Sequence, residues 1–525
     1  MPAPVALGEE AVDYPRIYNA AAGMVDRHIV EGRASKAAFV DPTGTLTYGE
    51  LAAGCNRMAN LLSAFGIGRE TRIAVLMLDT NAYPVVFWGA IKAGVVPVLL
   101  NTLLNADQYA YMLADSRAKA LIVSAPLLPA VQPILGKLPF LTHVLVSGGE
   151  APPFAFDLST ELAEHSPEFS AAETCGDETA FWLYSSGSTG ASKGVRHVHT
   201  SLMETARLYG QGVLGIREND VGFSAAKLFF AYGLGNGMSF PMSVGATTVL
   251  LPERPTPEAV YGTLKTHQPT LFYGVPTLYA AMLASPQASP ANSSARLRQC
   301  ISAGEALPAE VGKAWKARFG VDILDGVGST EMLHIYVSNR PHDVRYGTTG
   351  KPVPGYDIRL VDDGGQSVGD GEVGEMLVRG ASAADGYWNQ RQRSRRTFEG
   401  EWTRSGDKYV RDADGYYTYQ GRTDDMFKVS GIWVSPFEVE SALIGHEAVL
   451  EAAVVPKEDA DGLLKPKAFV VLKPGRAIDA GLTPALQEHV KVRAGPWKYP
   501  RWIEYTDTLP KTATGKIQRF KLRET

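Results

Sequence analysis

Eleven consecutive residues, YSSGSTGASKG from Tyr184 to Gly194, combine groups suited to holding phosphate. Gly187, Gly190 and Gly194 permit positive φ and a close backbone approach. Consecutive amides in such a turn form an anion nest. Ser185, Ser186, Ser188 and Thr189 add hydroxyl donors, and Lys193 adds a positive charge. A flexible Gly/Ser hairpin loop has a similar composition, but this order of residues favours phosphate. The loop departs from the P-loop pattern GxxxxGK[ST], which joins a strand to a helix. Gly187 and Lys193 have that spacing, yet Ser192 replaces the second glycine and Gly194 stands where the magnesium-binding hydroxyl belongs. AFWLYS before the loop and GVRHVH after it both read as strands, and a helix begins only near Thr200–Ser201. A Walker-type phosphotransferase is therefore disfavoured.

The same segment is similar to the phosphate-loop signature of the acyl-adenylate-forming superfamily, which includes acyl-CoA synthetases, luciferases and the adenylation domains of peptide synthetases. Further landmarks follow in that family's order: SAGEALP (302–308), GVGSTE (326–331), TRSGD (403–407), GRTDDMFKVSGIWVSPFEVE (421–440) and PKTATGKIQR (510–519). Together they span essentially the whole chain. The resemblance implies a mixed α/β fold and a two-step ligase that uses ATP, Mg²⁺ and coenzyme A. The substrate carboxylate attacks the α-phosphorus of ATP, pyrophosphate leaves with the metal, and a thiol then displaces AMP from the acyl-adenylate.

Carried onto this chain, the resemblance implies that Lys193 and the loop residues Ser185, Ser186, Gly187, Ser188, Thr189 and Gly190 clamp the phosphates. Thr330 touches phosphate and Glu331 helps to hold Mg²⁺, a hard cation that prefers carboxylate oxygen. Taken alone, Ser-Thr-Glu reads as an ordinary helix N-terminus. Gly304, Glu305 and Ala306 wall the adenine site, and Asp325 and Gly326 join it. Where the family often places an aromatic residue on adenine, this chain has the aliphatic Val327. Asp407 accepts hydrogen bonds from both ribose hydroxyls, although an aspartate after Ser-Gly is also a common turn residue. Arg422 faces ribose and phosphate, and Asp424 is the interdomain hinge. Lys516 enters the site for adenylation alone and steadies charge growing in the transition state. By charge alone it is part of a solvated basic tail with Lys511, Arg519, Lys521 and Arg523. Some family members are silenced by acetylation of the matching lysine, which implies an acetyltransferase and deacetylase acting on Lys516.

KLFFAYGLGNGMSFP (227–241) lies where the family builds its acyl pocket, and Met332, Leu333, His334 and Ile335 supply the opposite wall. Phe229, Phe230 and Tyr232 offer flat surfaces, while Gly233, Gly235 and Gly237 leave room. Elsewhere an aromatic stripe of this kind is simply core. FFAYGLGN and STEMLHIYVSN resemble the benzoate–CoA ligases of aromatic-degrading bacteria. By that resemblance Ala231, Tyr232, Gly328, His334 and Ile335 contact an aryl carboxylic acid, with a purely structural role as the alternative for His334. A short, flat pocket rejects long acyl chains by overlap. Amino-acid adenylation needs a carboxylate near the pocket's start, which FFAYGLG lacks, and the chain stops at Thr525 with no carrier domain. Both observations point to free coenzyme A, with Gly431 opening a pantetheine channel and Trp433 walling it. The expected reaction converts benzoate, ATP and CoA to benzoyl-CoA, AMP and diphosphate. The alternatives are a ligase for 4-hydroxybenzoate, 2-aminobenzoate or cyclohexanecarboxylate, and a non-catalytic acyl-adenylate or nucleotide sensor. Intact Lys193, Glu331, Asp407 and Lys516 weigh against a sensor.

These residues need a scaffold larger than one core, since 525 residues correspond to roughly two to four domains. A hydrophobic content of 45% with 20% charged residues is that of a globular chain. Thr47 and Glu50 form a capping box, followed by Leu51, Cys55, Met58 and Leu62 at helical spacing. IAVLML (73–78), VVPVLL (95–100), ALIVS (120–124) and HVLVS (143–147) are short apolar runs between helical segments, the texture of a parallel sheet covered by helices. From about 346 to 421 the chain reads as an antiparallel β subdomain. The predicted organisation is a large domain, residues 1–422, and a small mobile α+β domain, residues 423–525, with a helix entered at Ser435-Pro436 and another over 484–493. The run from Tyr83 to Leu100 carries Lys92, two prolines and two glycines, which fits a buried helix, a turn and a strand better than a membrane span. A net charge of −5 gives no reason to expect nucleic acid or an anionic membrane as partner. The N-terminus lacks a signal pattern, and Cys55, Cys175 and Cys300 are spaced as reduced, buried thiols of a cytoplasmic protein. The oligomeric alternatives are a monomer and a homodimer.

Overall fold

Ile73 and Val75 project from one face of the strand Arg72–Leu76, Ala74 and Leu76 from the other, and all four are buried. A strand buried on both faces requires covering layers on both sides, the setting of parallel sheet. Val96–Leu99 and Ala120–Ser124 pair in parallel with it, and His143–Ser147 extends the row. Beyond Val96–Leu99 this eight-stranded sheet continues into an antiparallel hairpin, Thr179–Gly187 and Gly190–Val198, and ends on Gly386–Tyr387. Tyr184–Gly187 and Gly190–Gly194 belong to the two strands of that hairpin, and the helix Ser201–Thr205 starts after it, as predicted.

The structure is a computed structural model that describes residues 13–187, 190–423, 425–429, 432–460, 463–511 and 517–523, without the side chains of 186, 187, 190, 191, 428, 432 and 433. A second, nine-stranded sheet has a parallel centre running through Ile323–Gly328, Gln299–Ser302, Leu271–Gly274, Val221–Ser224, Thr247–Val249 and Ala37–Asp41. The helices Tyr48–Ala64 and Ala82–Lys92 share one core with the inward faces of both sheets, Ile73 and Val75 on one side, Tyr273 and Ile301 on the other. The predicted capping box opens the first: Thr47 Oγ1 accepts from Glu50 N at 3.2 Å, and Glu50 Oε2 accepts from Thr47 N at 2.8 Å. The second accounts for the membrane-like run. It is buried from Tyr83 to Lys92, and the Lys92 ammonium ends 2.7 Å from Asp26. Among the described residues no helix is long and apolar enough to cross a membrane.

Outer helices complete the layers. Pro257–His267, Pro276–Ala284 and Ala309–Phe319 cover the far face of the nine-stranded sheet through Tyr261, Tyr279 and Trp315. Ala106–Ser116 covers the far face of the other through Tyr109, Met112 and Leu113. The Gly- and Asp-rich region is antiparallel as predicted, with Asp357–Val361, Val373–Arg379, Trp402–Arg411 and Tyr417–Arg422 paired in succession. Later residues form a separate core from Val439, Leu443, Val454, Val470 and Leu486. Ser435 Oγ caps the helix Pro436–Ile444 by accepting from Glu438 N at 3.1 Å. Trp502–Tyr505 adds a third strand beside Val449–Glu458 and Leu464–Leu472, which the sequence reading did not mark. One cysteine differs from expectation. Cys55 and Cys300 are buried, but Cys175 is half-exposed because it sits in an isolated bridge with Ile17 at the surface.

Candidate active site

The hairpin register places Ser185 opposite Lys193 and Tyr184 opposite Gly194. Gly194 has no room to spare: a Cβ there would lie 3.3 Å from the Trp182 ring and 3.4 Å from Trp388 Cβ. On the hairpin's other side Tyr387 pairs with Val195, and side chains two apart on a strand share a face, so Tyr387 and Lys193 meet. Lys193 Nζ lies 3.2 Å from Tyr387 Oη and 3.4 Å from Glu331 Oε1. Tyr387 Oη donates to the same Oε1 at 2.7 Å. Burial pushes the Glu331 carboxyl up, but Lys193 and the Tyr387 hydrogen bond more than offset it, and the group stays below the usual carboxylate range.

Residues 329–334 form a turn into the strand Ile335–Ser338, which excludes the reading of Ser-Thr-Glu as a helix N-terminus. Ser329 Oγ accepts from Met332 N at 3.2 Å. Thr330 O accepts from His197 Nε2 at 2.8 Å, so the proton of that imidazole sits on Nε2. Burial lowers the His197 pKa to about 4 and keeps the ring neutral. Among the described residues no cluster of three or more His, Cys, Asp or Glu side chains is arranged to hold a metal. The Glu331 carboxylate beside Lys193 has the hard oxygen donors that suit Mg²⁺ arriving on a nucleotide.

The strand carrying Gly326 and Gly328 pairs with the strand that leads into Gly304, Glu305 and Ala306: Ser302 sits opposite Asp325. Gly304 adopts φ +94°, open to glycine and strained for other residues. Burial drives the Asp325 carboxyl well above its ordinary range, and its Oδ1 has no partner among the described residues. A buried oxygen left unpaired costs about 1–3 kcal/mol. Asp407 and Arg422 lie opposite each other on adjacent strands, with Arg422 Nη1 donating to Asp407 Oδ1 at 3.0 Å. Glu305 Oε1 accepts from Ile517 N at 3.3 Å, bringing the residue that follows Lys516 against Glu305. Ser188, Thr189, Asp424, Gly431 and Lys516 lie outside the described residues, as do the side chains of Ser186 and Trp433.

Of the predicted aryl-acid residues, Tyr232, Gly328 and His334 lie in contact. His334 is buried, its ring centroid 4.4 Å from Phe240, 5.5 Å from Tyr209 and 5.6 Å from Tyr232. Its Nε2 lies 3.2 Å from both Tyr232 O and Asn236 Oδ1, and burial lowers its pKa to about 3. Tyr232 Oη donates to Gly274 O and Ile301 O at 3.2 and 3.1 Å, fixing the ring between two strands. Close approach sets two glycines. A Cβ on Gly235 would fall 2.3 Å from His334 Cδ2, and one on Gly328 2.5 Å from His334 O. The helix begun at Ala231 widens into a π-helical turn over Gly235–Ser239, a distortion frequent at functional sites.

Residues 26–388 match the AMP-binding enzyme family, and residues 438–516 match the AMP-binding enzyme C-terminal domain. The chain belongs to the AMP-binding enzyme family. Similar AMP-binding enzymes include the 4-hydroxybenzoate–CoA/benzoate–CoA ligase of Rhodopseudomonas palustris, 57% identical over 97% of this chain and 94% of that one. The benzoate–CoA ligase of Thauera aromatica is 57% identical over 98% of this chain and 97% of its own length. Among solved structures, a benzoate CoA ligase from Burkholderia xenovorans LB400 has a TM-score of 0.90 at 52% identity, covering 97% of this chain and all of that one. The anthranilate CoA ligase AuaEII in complex with anthranoyl-AMP has a TM-score of 0.94 at 44% identity, covering 97% and 98%. Within the AMP-binding scaffold, sequence reasoning missed Tyr387, His197 and Asn236. GYWNQ carries no spacing relation to the phosphate loop, and His197 lies in a segment read only as a strand.

Proposed function

We propose that this AMP-binding enzyme is an AMP-forming aryl-acid–CoA ligase acting on benzoate. One observation carries the reading. The turn between Gly328 and Ile335 holds Glu331 3.4 Å from Lys193 at one end and seats His334 among aromatic rings at the other, which supports a single segment serving both phosphate and aryl acid. The two relatives at 57% identity support benzoate as the acid, since benzoate stands in both names and 4-hydroxybenzoate in one.

In this account the benzoate carboxylate attacks the α-phosphorus while Lys193, Ser185, Ser186, Ser188 and Thr189 hold the leaving pyrophosphate. Asp407 and Arg422 orient the ribose, and the wall at Gly304–Ala306 with Asp325 and Gly326 takes the adenine. When bound, Mg²⁺ neutralises charge on the phosphate oxygens. Ala231, Tyr232, Gly328, His334 and Ile335 hold the ring and exclude water from the mixed anhydride. Lys516 serves adenylation from a small domain, residues 423–525, that turns about Asp424 against residues 1–422. The Gly431–Trp433 segment then admits the pantetheine thiol. We place the reaction in the cytosol and Lys516 within reach of an acetyltransferase.

The test is an acid panel. Benzoate with ATP should release pyrophosphate, and CoA should convert the adenylate to benzoyl-CoA with one AMP per thioester. 4-Hydroxybenzoate, 2-aminobenzoate and cyclohexanecarboxylate should turn over less well. Binding of ATP and benzoate without pyrophosphate release would identify a sensor.

A further inference from the structure

Tyr387 touches both charged groups at the phosphate end of the site. Its hydroxyl donates to Glu331 Oε1 at 2.7 Å and accepts from Lys193 Nζ at 3.2 Å, and its ring lies 4.4 Å from the same ammonium. The position is built. Strand pairing fixes the Tyr387 backbone against Val195, Ser394 Oγ accepts from Tyr387 N at 3.0 Å, and Thr397 Oγ1 lies 3.3 Å from the phenol oxygen.

Glu331 and Lys193 satisfy each other before substrate enters. An incoming triphosphate competes for the ammonium, because phosphate oxygens are strong acceptors for lysine. The carboxylate then loses a partner in a site where each charged side chain is only 15% exposed. A buried carboxylate with too few donors turns toward whatever is nearest. The Tyr387 hydroxyl is a neutral donor, so it adds no charge to oppose a cation. Both protein contacts fall on Oε1, which directs the other carboxylate oxygen away from Tyr387. We infer that Tyr387 is a positioning residue: its hydroxyl holds the Glu331 carboxylate in one orientation after Lys193 has turned to the phosphates, ready for the divalent ion of the nucleotide.

The inference rests on the proposed nucleotide role of Glu331 and Lys193, and the experiment separates the two. Binding is measured on the full chain without acid, so that no turnover occurs. ATP affinity is measured calorimetrically in EDTA and with Mn²⁺, and bound Mn²⁺ is counted by electron paramagnetic resonance. Tyr387→Phe, which keeps the ring, should weaken Mn²⁺ in the ATP complex about 5- to 20-fold and change metal-free ATP binding less than twofold. In a Glu331→Gln background the same substitution should have no further effect on Mn²⁺. Equal weakening of metal-free and metal-loaded ATP binding, or an undiminished effect in the Glu331→Gln background, would reduce Tyr387 to a packing residue and overturn the inference. Wild-type Mn²⁺ affinity in Tyr387→Phe would do the same. Failure of the wild-type protein to bind ATP at all would remove the nucleotide reading itself.

Discussion

His334 carries its proton on Nε2, since Tyr232 O and Asn236 Oδ1 both lie there as acceptors. Burial opposes a second proton and lowers the pKa to about 3. In an unfolded chain the ordinary histidine value is about 6.5. Between those two values the unfolded state binds a proton that the folded state refuses, so His334 costs stability as pH falls through that window and is silent above it. The stability difference between wild type and His334→Gln should therefore narrow as pH drops from 7 to 4.5 in urea unfolding. A difference that stays constant or widens would refute the neutral, buried imidazole. His28 and His197, each lowered to about 4 by burial, act in the same direction in both proteins and cancel in the comparison. The ring is thus neutral at working pH, and its close packing depends on the missing Cβ of Gly235.

At the scale of elements, the helix Ala82–Lys92 is pressed onto Tyr48–Ala64 closely enough that a Cβ on Gly89 would stand 2.5 Å from Met58 Cβ. Overpacking of this kind costs about 1–3 kcal/mol. Gly89→Ala should lose about that much in chemical denaturation and keep its affinity for ATP, whereas unchanged stability would mean that the two helices have slack between the sheets. Neither helix needed the structure to be found. Thr47 with Glu50 announced the first, and Pro84, Lys92 and the glycines marked the second as buried core with a turn after it. The short apolar runs at 73, 95, 120 and 143 read correctly as parallel strands because a strand buried on both faces leaves no alternation to misread. The hairpin Thr179–Val198 was legible because both of its flanks are β-rich. What the sequence hides is pairing across long separations. Gly386–Tyr387 is a two-residue strand whose partner lies 190 residues earlier, and no local pattern announces so short an element. Asn236 was hidden for a related reason: its contact with His334 spans 98 positions, and the π-helical turn that aims it carries no marker beyond its glycines.

At the scale of the whole molecule, contacts among the described residues link the C-terminal segment to the sheets, among them the Tyr419 and Phe437 rings at 5.3 Å. Ile517 N reaches Glu305 across 3.3 Å, while Arg519 grips Glu440 at 3.0 and 2.7 Å and Arg523 meets Asp425 at 2.5 Å. The two arginine pairs lie within the C-terminal residues, and the Ile517 contact reaches Glu305 of the larger part. The proposed alternation requires the C-terminal residues to move as a body. Removing one group that stabilises transition-state charge costs about 10²–10³ in rate. Lys516→Ala should lose benzoate-dependent pyrophosphate release by that factor, while conversion of preformed benzoyl-AMP and CoA to thioester stays within about twofold of wild type. Equal loss of both half-reactions would reject the domain alternation.

Attack of a carboxylate oxygen on the α-phosphorus is the central chemical claim, and oxygen tracing tests it most directly. With benzoate labelled at both carboxyl oxygens by oxygen-18, one turnover with ATP and CoA should yield AMP bearing one labelled oxygen and benzoyl-CoA retaining the other. AMP free of label, alongside benzoyl-CoA formed at the normal rate, would contradict an adenylate intermediate.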